Sequence, residues 1–460
     1  MEATRPPRVS GYQTATTQAT RFEPARILEV ELGRPLRHIS HINPRTGYAY
    51  CRALALVRFH TQPLGWINLR LSGAGLSADE CAGQIWKVLR ATIEEHLRRD
   101  QHAVDGEVGA SNGAATWTST PPCLEARERV LADAPLVSVV IPTRERPQQV
   151  AACVRSLLSL AYPPSRYEII VVDNAPLTSA TAELIRRRYG DSSQVGYVRE
   201  NRPGVSNARN RGLAVAQGDV VAFVDDDELV DEHWLAGLVG GFAAAERVAC
   251  VTGLIVPSEI ETPAQGWFEQ FGGYCKGGCT RHIFNLTDQR PHDPLFPYNV
   301  GMLGSGGSMA FRRSILRDVG GFDPALGSAT PALAGEDIEA LLRVLLAGHT
   351  LVYEPAAILY HPPHRDFARL CTQIHGYGTG LTACLLKTLL ANPRLLPDVM
   401  AKLPPAVLFA LSPRSPHHAH KQSDYPGELM WLELRGMLYG PLAYLRSAIK
   451  ITSERHHALE

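Results

Sequence analysis

Three apolar runs, each ending at a polar or charged residue, most constrain the fold of this chain. They are SVVIPT (138–143), YEIIVVD (167–173) and DVVAFVD (219–225). Near-continuous apolar runs are typical of strands that are covered on both faces, and the stretches between them have helical patterns. Strands alternating with helices predict βαβ units and a mostly parallel sheet. Such sheets bind ligands beyond the carboxyl ends of their strands, where we expect Asp173 and Asp225.

Composition and local patterns divide the 460 residues into five segments. These are a flexible tail (1–25), a small α+β accessory domain (26–103), a linker (104–134), the α/β domain (135–364) and a helical C-terminal extension (365–460). In the accessory domain, Ser77 and Glu80 have the spacing of a capping box at the start of a helix. In the extension, apolar residues at helical spacing favour packing onto the α/β domain over shallow contact with a membrane.

The charge balance and the cysteines limit the classes of function. Lys plus Arg equals Asp plus Glu at 46 each, so we expect no nucleic-acid partner. Nine scattered cysteines, an odd number, favour free thiols in a reducing compartment. No apolar segment follows Met1, and no run approaches 18 uninterrupted apolar residues, so neither a secretory signal nor a spanning helix is expected. We therefore expect a cytoplasmic protein, with peripheral contact at the inner face of the membrane left open.

Three consecutive carboxylates, Asp225, Asp226 and Asp227, end the third apolar run. Like charges this close repel each other unless a cation neutralises them. In an extended chain, Asp225 and Asp227 would point to one side and Asp226 to the other. Because Mg²⁺ and Mn²⁺ commonly take carboxylate and phosphate oxygens together, the cluster favours a metal–diphosphate site. A solvated acidic turn is the alternative.

Two helix starts carry further charged residues. Gly204 predicts a turn before a helix that contains Arg209 and Arg211, and such a helix attracts phosphate unless it is only a solvated basic face. Glu336 and Asp337 precede the helical run 338–346, where the helix dipole favours ionised carboxylates. A carboxylate there can take a proton from a hydroxyl that attacks an electrophile, or it can simply cap the helix.

Five motifs in a fixed order resemble those of the family-2 glycosyltransferases. They are SVVIPTRER, IIVVDNA, NRPGVSNARNRGLAVAQGDVVAFVDDDELV, GSMAFRRSILRDVGGFDPAL and GEDIEALLRVLLAGHTLVYEPAAILYH. The resemblance covers roughly residues 136–364 and implies a GT-A fold, which is Rossmann-like with a mixed, mostly parallel sheet. The family transfers a sugar from a nucleotide diphosphosugar to an acceptor, typically with inversion and a divalent metal. The resemblance therefore implies an enzyme of the hexosyltransferase type that uses Mn²⁺ or Mg²⁺.

The resemblance also implies roles for single residues. Those that would bind the nucleotide are Pro142, Thr143, Arg144, Asp173, Asn207, Arg209, Asp225 and Asp226. Asp173 would hydrogen-bond the base, and one carboxylate of the DxD motif would face the ribose. The metal ligands would be Asp225, Asp227 and His361, with His361 alternatively contacting the diphosphate. Asp337 would be the catalytic base beside Glu336, which has helix capping as its alternative role.

The donor would be a UDP-, GDP- or TDP-sugar, and the acceptor a sugar, a lipid-linked molecule or a small molecule. Two other classes of function stay open. A nucleotidyltransferase acting on sugar phosphates shares the metal–diphosphate chemistry, but it would be expected to carry a Gly-rich basic loop where this chain has PTRERP. A non-catalytic scaffold that binds nucleotide sugars would not require the acidic pairs.

A stretch between Pro257 and Gly301 resembles an insertion and has no motif that identifies its role. Cys275, Cys279 and His282 could begin a zinc site. The second half of a four-ligand set is not evident nearby, so free thiols are favoured. Its aromatic residues fit stacking on an acceptor as well as core packing.

Overall fold

The computed structural model of this chain describes residues 22–44, 46–100, 120–274, 277–302 and 304–457. Within these ranges the strands are β1 (Arg26–Glu31), β2 (Arg52–Phe59), β3 (Gln62–Arg70), β4 (Val137–Thr143), β5 (Tyr167–Asn174), β6 (Val195–Glu200), β7 (Val220–Phe223), β8 (Leu229–Val230), β9 (Val248–Pro257), β10 (His282–Phe284), β11 (Met309–Arg312) and β12 (Thr350–His361). The α-helices are α1 (Ala78–Arg99), α2 (Pro122–Ala132), α3 (Pro147–Leu157), α4 (Ala180–Tyr189), α5 (Val205–Val215), α6 (Trp234–Gly241), α7 (Pro263–Phe271), α8 (Arg313–Asp318), α9 (Glu336–Leu346), α10 (Phe367–Ala391), α11 (Leu396–Leu411) and α12 (Gly427–His457).

The N-terminal unit is a three-stranded sheet covered by α1. Strand β1 runs parallel to β2, and β2 runs antiparallel to β3. The predicted capping box is present at the start of α1, since the Ser77 side chain accepts a hydrogen bond from the Glu80 backbone N–H. The buried side chains Ile85 and Ile93 of α1 share one core with Val57 of the sheet. This core gives the unit an apolar interior of its own.

A large mixed sheet forms the centre of the molecule. Its strand order is β10-β12-β9-β11-β7-β4-β5-β6, with β8 paired to β12. Strands β7, β4, β5 and β6 run parallel, as the three apolar runs predict, and all seven residues of β4 are buried. In the parallel register Thr143 pairs with Asp173. The carboxyl ends of β4, β5 and β7 therefore lie side by side.

Helices α10 and α12 pack closely against each other and against the central domain. A Cβ on Gly378 would lie 2.2 Å from the Glu433 carbonyl oxygen, so only glycine allows this approach of the two helices. Gly335, at φ 97°, precedes α9, and a Cβ there would lie 2.6 Å from the Gly380 carbonyl oxygen of α10. The helical extension thus contacts the segment that begins α9.

Helix α11 differs from α10 and α12, the two C-terminal helices whose apolar patterns favour packing onto the α/β domain. It buries no residue, and the side chains of Leu396, Met400, Leu403 and Leu408 are each half exposed or more. The segment 393–418 is also long and apolar enough to cross a membrane, judged on length and composition alone and within the described residues. A spanning helix is not expected from the sequence, and this segment is the one candidate by length and composition in the described part of the chain.

Candidate active site

A cavity of about 2110 Å³ opens at the carboxyl edge of the central strands. The predicted site residues that line it are Pro142, Thr143, Arg144, Arg209, Asp225, Asp226, Asp227, Glu336, Asp337 and His361. They come from positions far apart in the chain, which the sheet brings to one edge. The predicted residues Asp173 and Asn207 are not part of this lining.

The three aspartates after β7 form a turn, not the extended segment that was expected. The Glu228 N–H donates to the Asp225 carbonyl oxygen at 3.2 Å. The alternation of side chains nevertheless holds: Asp225 and Asp227 are 38% and 29% exposed, whereas Asp226 is 7% exposed. The buried carboxylate is therefore the middle one, and the outer two are accessible from the cavity.

Asp226 is held in place by two donors. The Thr143 hydroxyl donates to Asp226 Oδ2 at 2.7 Å, and Arg146 Nη1 donates to Oδ1 at 3.0 Å. Burial raises the pKa of Asp226 to about 6, although both donors oppose the shift. Arg146 Nη1 also lies 3.1 Å from Asp227 Oδ2. The contacts of Asp226 thus fix the turn onto β4, a role that differs from the predicted nucleotide contact.

Arg209 joins the turn of Asp225, Asp226 and Asp227, called the acidic turn from here on, to the start of α9. Its guanidinium donates to Glu336 Oε1 at 2.8 Å, to Asp225 Oδ1 at 3.1 Å and to the Gly306 carbonyl oxygen at 3.2 Å. Burial alone would lower the pKa of Arg209, but Asp225 and Glu336 raise it above its ordinary value. A buried charge needs such partners. Arg209 is therefore buried and paired with two carboxylates, whereas a phosphate ligand would need to be accessible.

The two carboxylates that begin α9 have different surroundings. Burial raises the pKa of Glu336 to about 7, with repulsion from Asp337 adding to it and Arg209 opposing it. Desolvation thus opposes the stabilisation of an ionised Glu336 by the helix dipole, whereas the contact with Arg209 supports it. Asp337 is only partly buried, and its Oδ2 accepts from the Gly306 N–H at 2.7 Å. Of the pair, Asp337 is the more accessible proton acceptor.

The glycines that precede β11 make room for these side chains. A Cβ on Gly306 would lie 2.9 Å from Arg209 Nη2 and 3.0 Å from Asp337 Oδ2. A Cβ on Gly307 would lie 2.1 Å from Glu228 Oε1. Gly306 and Gly307 therefore leave space for the charged side chains of Arg209, Asp337 and Glu228.

His361 is the last residue of β12 and lies near the acidic turn. Its Nε2 lies 3.8 Å from Asp227 Oδ1, and its ring centroid lies 4.5 Å from that of Tyr274. Burial lowers the pKa of His361, with Asp227 opposing the shift. A neutral imidazole retains a lone pair for a cation. The position agrees with a ligand next to Asp227.

Asp173 and Asn207 make hydrogen bonds within the protein. Asp173 is fully buried, its Oδ2 accepts from the Tyr197 hydroxyl at 3.0 Å, and its Oδ1 has no hydrogen-bond partner among the described residues. Asn207 Nδ2 donates to the Pro203 carbonyl oxygen at 2.9 Å, within the loop that enters α5. Asn207 thus shapes this loop, while Asp173 retains one free acceptor.

Sequence reasoning missed Arg146, Glu228 and Tyr197. Arg146 lies in the quoted PTRERP loop, and Glu228 is a fourth carboxylate directly after the DDD triplet, so both could have been found. Glu228 Oε2 accepts from the Asp225 N–H at 2.9 Å, and burial raises its pKa well above its ordinary value. The contact of Tyr197 with Asp173 depends on strand pairing and leaves no local signal.

The zinc site suggested by the cysteines of the insertion-like stretch falls only partly within the described residues. Cys275 lies outside the described residues, and Cys279 and His282 belong to no cluster of three metal-ligating side chains in the described part of the chain. Besides Cys279, the seven described cysteines are free thiols, as expected. Trp267 packs edge-on against Phe367, with 5.4 Å between ring centroids, which favours the core-packing role for this aromatic residue.

Residues 138–320 match the family model for glycosyl transferase family 2. A pre-mycofactocin glycosyltransferase of Mycobacterium tuberculosis is 28% identical over 234 residues, which cover 51% of this chain and 44% of that protein. A glucosyl-dolichyl phosphate glucuronosyltransferase of Haloferax volcanii is 26% identical over 194 residues, covering 42% and 57%. This chain thus spans about half the length of both relatives. A Pyrobaculum calidifontis mannosyltransferase solved with GDP-Man and Mn²⁺ is 19% identical with a TM-score of 0.44, covering 69% of this chain and 94% of that one.

Proposed function

Because this chain contains a family-2 glycosyltransferase domain with the GT-A fold, we propose that it transfers a sugar from a nucleotide diphosphosugar to an acceptor hydroxyl. The transfer inverts the anomeric carbon. One observation carries the proposal: the accessible carboxylates Asp225 and Asp227 line the same cavity as Asp337. A metal-binding pair and a proton acceptor therefore face one space that can hold donor and acceptor together.

The side chains around the acidic turn fit a hard divalent cation. Asp225 and Asp227 offer carboxylate oxygens, and His361 offers a nitrogen 3.8 Å from Asp227 Oδ1. Mn²⁺ and Mg²⁺ accept such ligands and complete their shells with phosphate oxygens and water. When bound, the ion supplies Lewis-acid stabilisation of the diphosphate as the sugar–phosphate bond breaks. We propose Asp225, Asp227 and His361 as its protein ligands.

The remaining residues of the donor side orient the nucleotide. The Arg146 side chain is 48% exposed, so it can reach a phosphate oxygen while it neutralises Asp227. The predicted contact of Asp173 with the base would require its carboxylate to become accessible, because it is fully buried and does not line the cavity. Arg209 and Glu336 act as positioning residues, since their mutual contact fixes Asp225 and the first turn of α9.

Asp337 is proposed as the general base. Its Oδ2 accepts from the Gly306 N–H, which orients the carboxylate towards the cavity. The carboxylate takes the proton of the acceptor hydroxyl while the acceptor oxygen bonds to the anomeric carbon. The bond from that carbon to the phosphate oxygen breaks, and the nucleoside diphosphate leaves with the electron pair. Attack from the face opposite the leaving group gives inversion.

The acceptor side of the cavity is apolar, which we propose fits a lipid-linked acceptor at a membrane surface. The lining continues from Asp337 to the side chains Leu403 and Val407 of α11 and Leu434 and Leu438 of α12. Several of these side chains are also exposed to solvent. One matched relative carries a dolichyl phosphate in the name of its substrate. An exposed apolar helix next to an acceptor space suits shallow insertion into an interface.

Calorimetric titration tests the donor site. UDP, GDP, TDP and CDP are titrated with and without Mn²⁺ into the wild type, Asp227→Ala and the control Asp318→Ala, whose carboxylate is exposed at the end of α8. We expect one diphosphate to bind only with Mn²⁺, in the wild type and in the control. Absence of binding in every condition would leave the fold intact but would contradict the transferase.

Analysis of the reaction products separates the two classes of transferase. Release of pyrophosphate, not a nucleoside diphosphate, would identify a nucleotidyltransferase instead.

Sedimentation with anionic phospholipid vesicles tests the acceptor side separately. Replacing the exposed Met400 and Leu408 by Gln should reduce the bound fraction, because both side chains leave the proposed interface. Val88→Gln is the matched control, an exposed apolar residue of α1. Equal binding of all three proteins, or none, would contradict membrane contact through α11 without affecting the donor site.

A further inference from the structure

Two histidines, an aspartate and a cysteine lie close together in the N-terminal part of the chain. His60 lies in the turn between β2 and β3, His96 and Asp100 lie at the end of α1, and Cys123 lies in the first turn of α2. We call them the N-terminal cluster. One ligand atom of each lies within 4.8 Å of the other three, and within the described residues this is the one such group of histidine, cysteine and acidic side chains.

The distances inside the N-terminal cluster are those of a small coordination shell. Asp100 Oδ2 lies 3.0 Å from His60 Nδ1, 3.2 Å from His96 Nε2 and 2.9 Å from Cys123 Sγ. His60 Nδ1 lies 3.2 Å from His96 Nε2 and 3.4 Å from Cys123 Sγ. A tetrahedral ion with bonds of about 2.0 to 2.3 Å separates its ligands by about 3.3 to 3.8 Å. Moving the four atoms outwards by a few tenths of an ångström would therefore admit the ion.

Hydrogen bonds alone do not account for this arrangement. His60 Nδ1 faces three polar atoms, yet an imidazole nitrogen carries either one proton or one lone pair. It can therefore complete one of those contacts at a time. Asp100 Oδ2 likewise faces two nitrogens and a sulfur. Burying so many convergent polar atoms is costly unless each is compensated, and a central cation compensates all four together.

We propose that the N-terminal cluster is a structural Zn²⁺ site. A thiolate on Cys123 and the carboxylate of Asp100 balance the charge of the ion, and His60 and His96 bind it as neutral imidazoles. Sulfur and nitrogen ligands select Zn²⁺ over Mg²⁺ or Mn²⁺. Four protein ligands complete the tetrahedron and leave no open position for water, which is the arrangement of a structural site and not of a catalytic one.

The position of the cluster suggests what the ion would hold together. Its ligands come from the N-terminal sheet, from α1 and from α2, which leads directly into β4 of the central domain. Nearby, Arg58 donates to Asp231 at 2.8 Å, and Arg127 of α2 donates to the Thr61 side chain. The ion would therefore fasten the N-terminal unit to the segment that enters the glycosyltransferase domain. The inference does not depend on the proposed sugar transfer.

Metal analysis of the purified full-length protein tests the proposal. Without added metal, we expect about one equivalent of zinc per chain in the wild type. Cys123→Ser and His96→Ala should lose it, whereas Cys51→Ser, which changes an exposed thiol, and Asp227→Ala should retain it. Retention of zinc by Cys123→Ser, or its loss in Asp227→Ala, would overturn the assignment.

Cobalt substitution keeps the test independent of whether the variants fold. After removal of zinc under mild chelation, Co²⁺ added to the wild type should give the visible bands of a tetrahedral ion and a thiolate-to-cobalt charge-transfer band. The chelated wild type should also melt at a lower temperature than the loaded protein, and Asp227→Ala should show the same difference. A wild type that contains no zinc and gives no charge-transfer band with Co²⁺ would refute the site.

Discussion

The cavity and the N-terminal cluster both gather metal-ligating side chains, yet they differ in how much of a coordination shell the chain provides. In the cavity, Asp225 and Asp227 are partly exposed and offer oxygen ligands on one side only. In the N-terminal cluster, His60, His96 and Asp100 are buried and converge with a sulfur on one point. An open, oxygen-rich site leaves room for phosphate oxygens. A closed site with nitrogen and sulfur ligands suits a resident ion.

The two sites also differ in what balances their charge without an ion. Arg146 and Arg209 donate to the aspartates of the acidic turn, so the turn holds its shape through protein contacts. The N-terminal cluster instead places a carboxylate and a thiol against two imidazoles. Removing a cation should therefore affect ligand binding at the first site and stability at the second.

The largest effect is expected from Asp337→Asn, which changes the cavity alone. An amide cannot take the proton of the acceptor hydroxyl, so kcat should fall by about 10²- to 10⁴-fold. Binding of the metal–nucleotide complex and the zinc content should stay unchanged. Initial rates, calorimetry and metal analysis measure the three quantities, with Asp318→Asn as the exposed control. An unchanged kcat would remove Asp337 from the role of base.

The next largest effect is expected from Arg58→Met, which acts on the N-terminal side. Arg58 is buried, pairs with Glu29 and Asp231 at 2.8 Å each, and donates to the Thr61 carbonyl oxygen next to His60. Removing one partner of a buried pair leaves uncompensated charge, so the free energy of unfolding should fall by about 3 to 5 kcal/mol.

Denaturant unfolding measures the effect of Arg58→Met, and Arg70→Met is its control. Arg70 forms an exposed pair with Glu23, so its loss should cost less than about 1 kcal/mol. If the N-terminal cluster depends on this turn, Arg58→Met should also bind zinc more weakly while kcat of the folded enzyme stays unchanged. If both variants lost the same free energy of unfolding, the buried pairs of Arg58 would contribute no more to stability than the exposed pair of Arg70.

The central sheet could be predicted from sequence because its signals are local. The buried strands β4, β5 and β7 are apolar runs of four to eight residues in the chain. Asp173 and the acidic turn lie at the ends of β5 and β7, on either side of β4. The family and the GT-A fold could be predicted because the same runs are part of its motifs, and both predictions are confirmed. The roles of the single site residues stay predictions.

The N-terminal cluster could not be predicted, because its ligands are separated by 36, 4 and 23 residues along the chain. Cys275 and Cys279 drew attention because they are close in sequence, whereas metal ligands need to be close in space. The exposure of α11 was missed for a related reason: an apolar pattern predicts a helix, but burial depends on which elements lie against it. The burial of Glu336 was not predicted, because its position at the start of a helix indicates the dipole and not the desolvation.

A smaller effect is expected from Gly306→Ala. The added methyl group would lie 2.9 Å from Arg209 Nη2 and 3.0 Å from Asp337 Oδ2, so both side chains must shift. A displaced base should lower kcat by about ten- to a hundredfold, with zinc content unchanged. Gly83→Ala on α1 is the control, since nothing lies within 4 Å of its Cβ position. Full activity of Gly306→Ala would show that the loop tolerates the shift.

Glu269 on α7 provides a third case, a buried carboxyl oxygen without any hydrogen-bond partner among the described residues. Burial raises its pKa from 4.5 to about 7. The folded state therefore holds this proton more tightly than the unfolded state, and that contribution to stability is complete below pH 4.5 and is lost as the pH rises through 7.

Glu269→Gln cannot lose a proton, so its advantage over the wild type should grow with pH to about 1 to 2 kcal/mol at about pH 8. Thermal unfolding from about pH 5 to 8, with the exposed Glu246→Gln as control, measures this difference. A difference that does not change with pH would show that burial does not raise the pKa of Glu269.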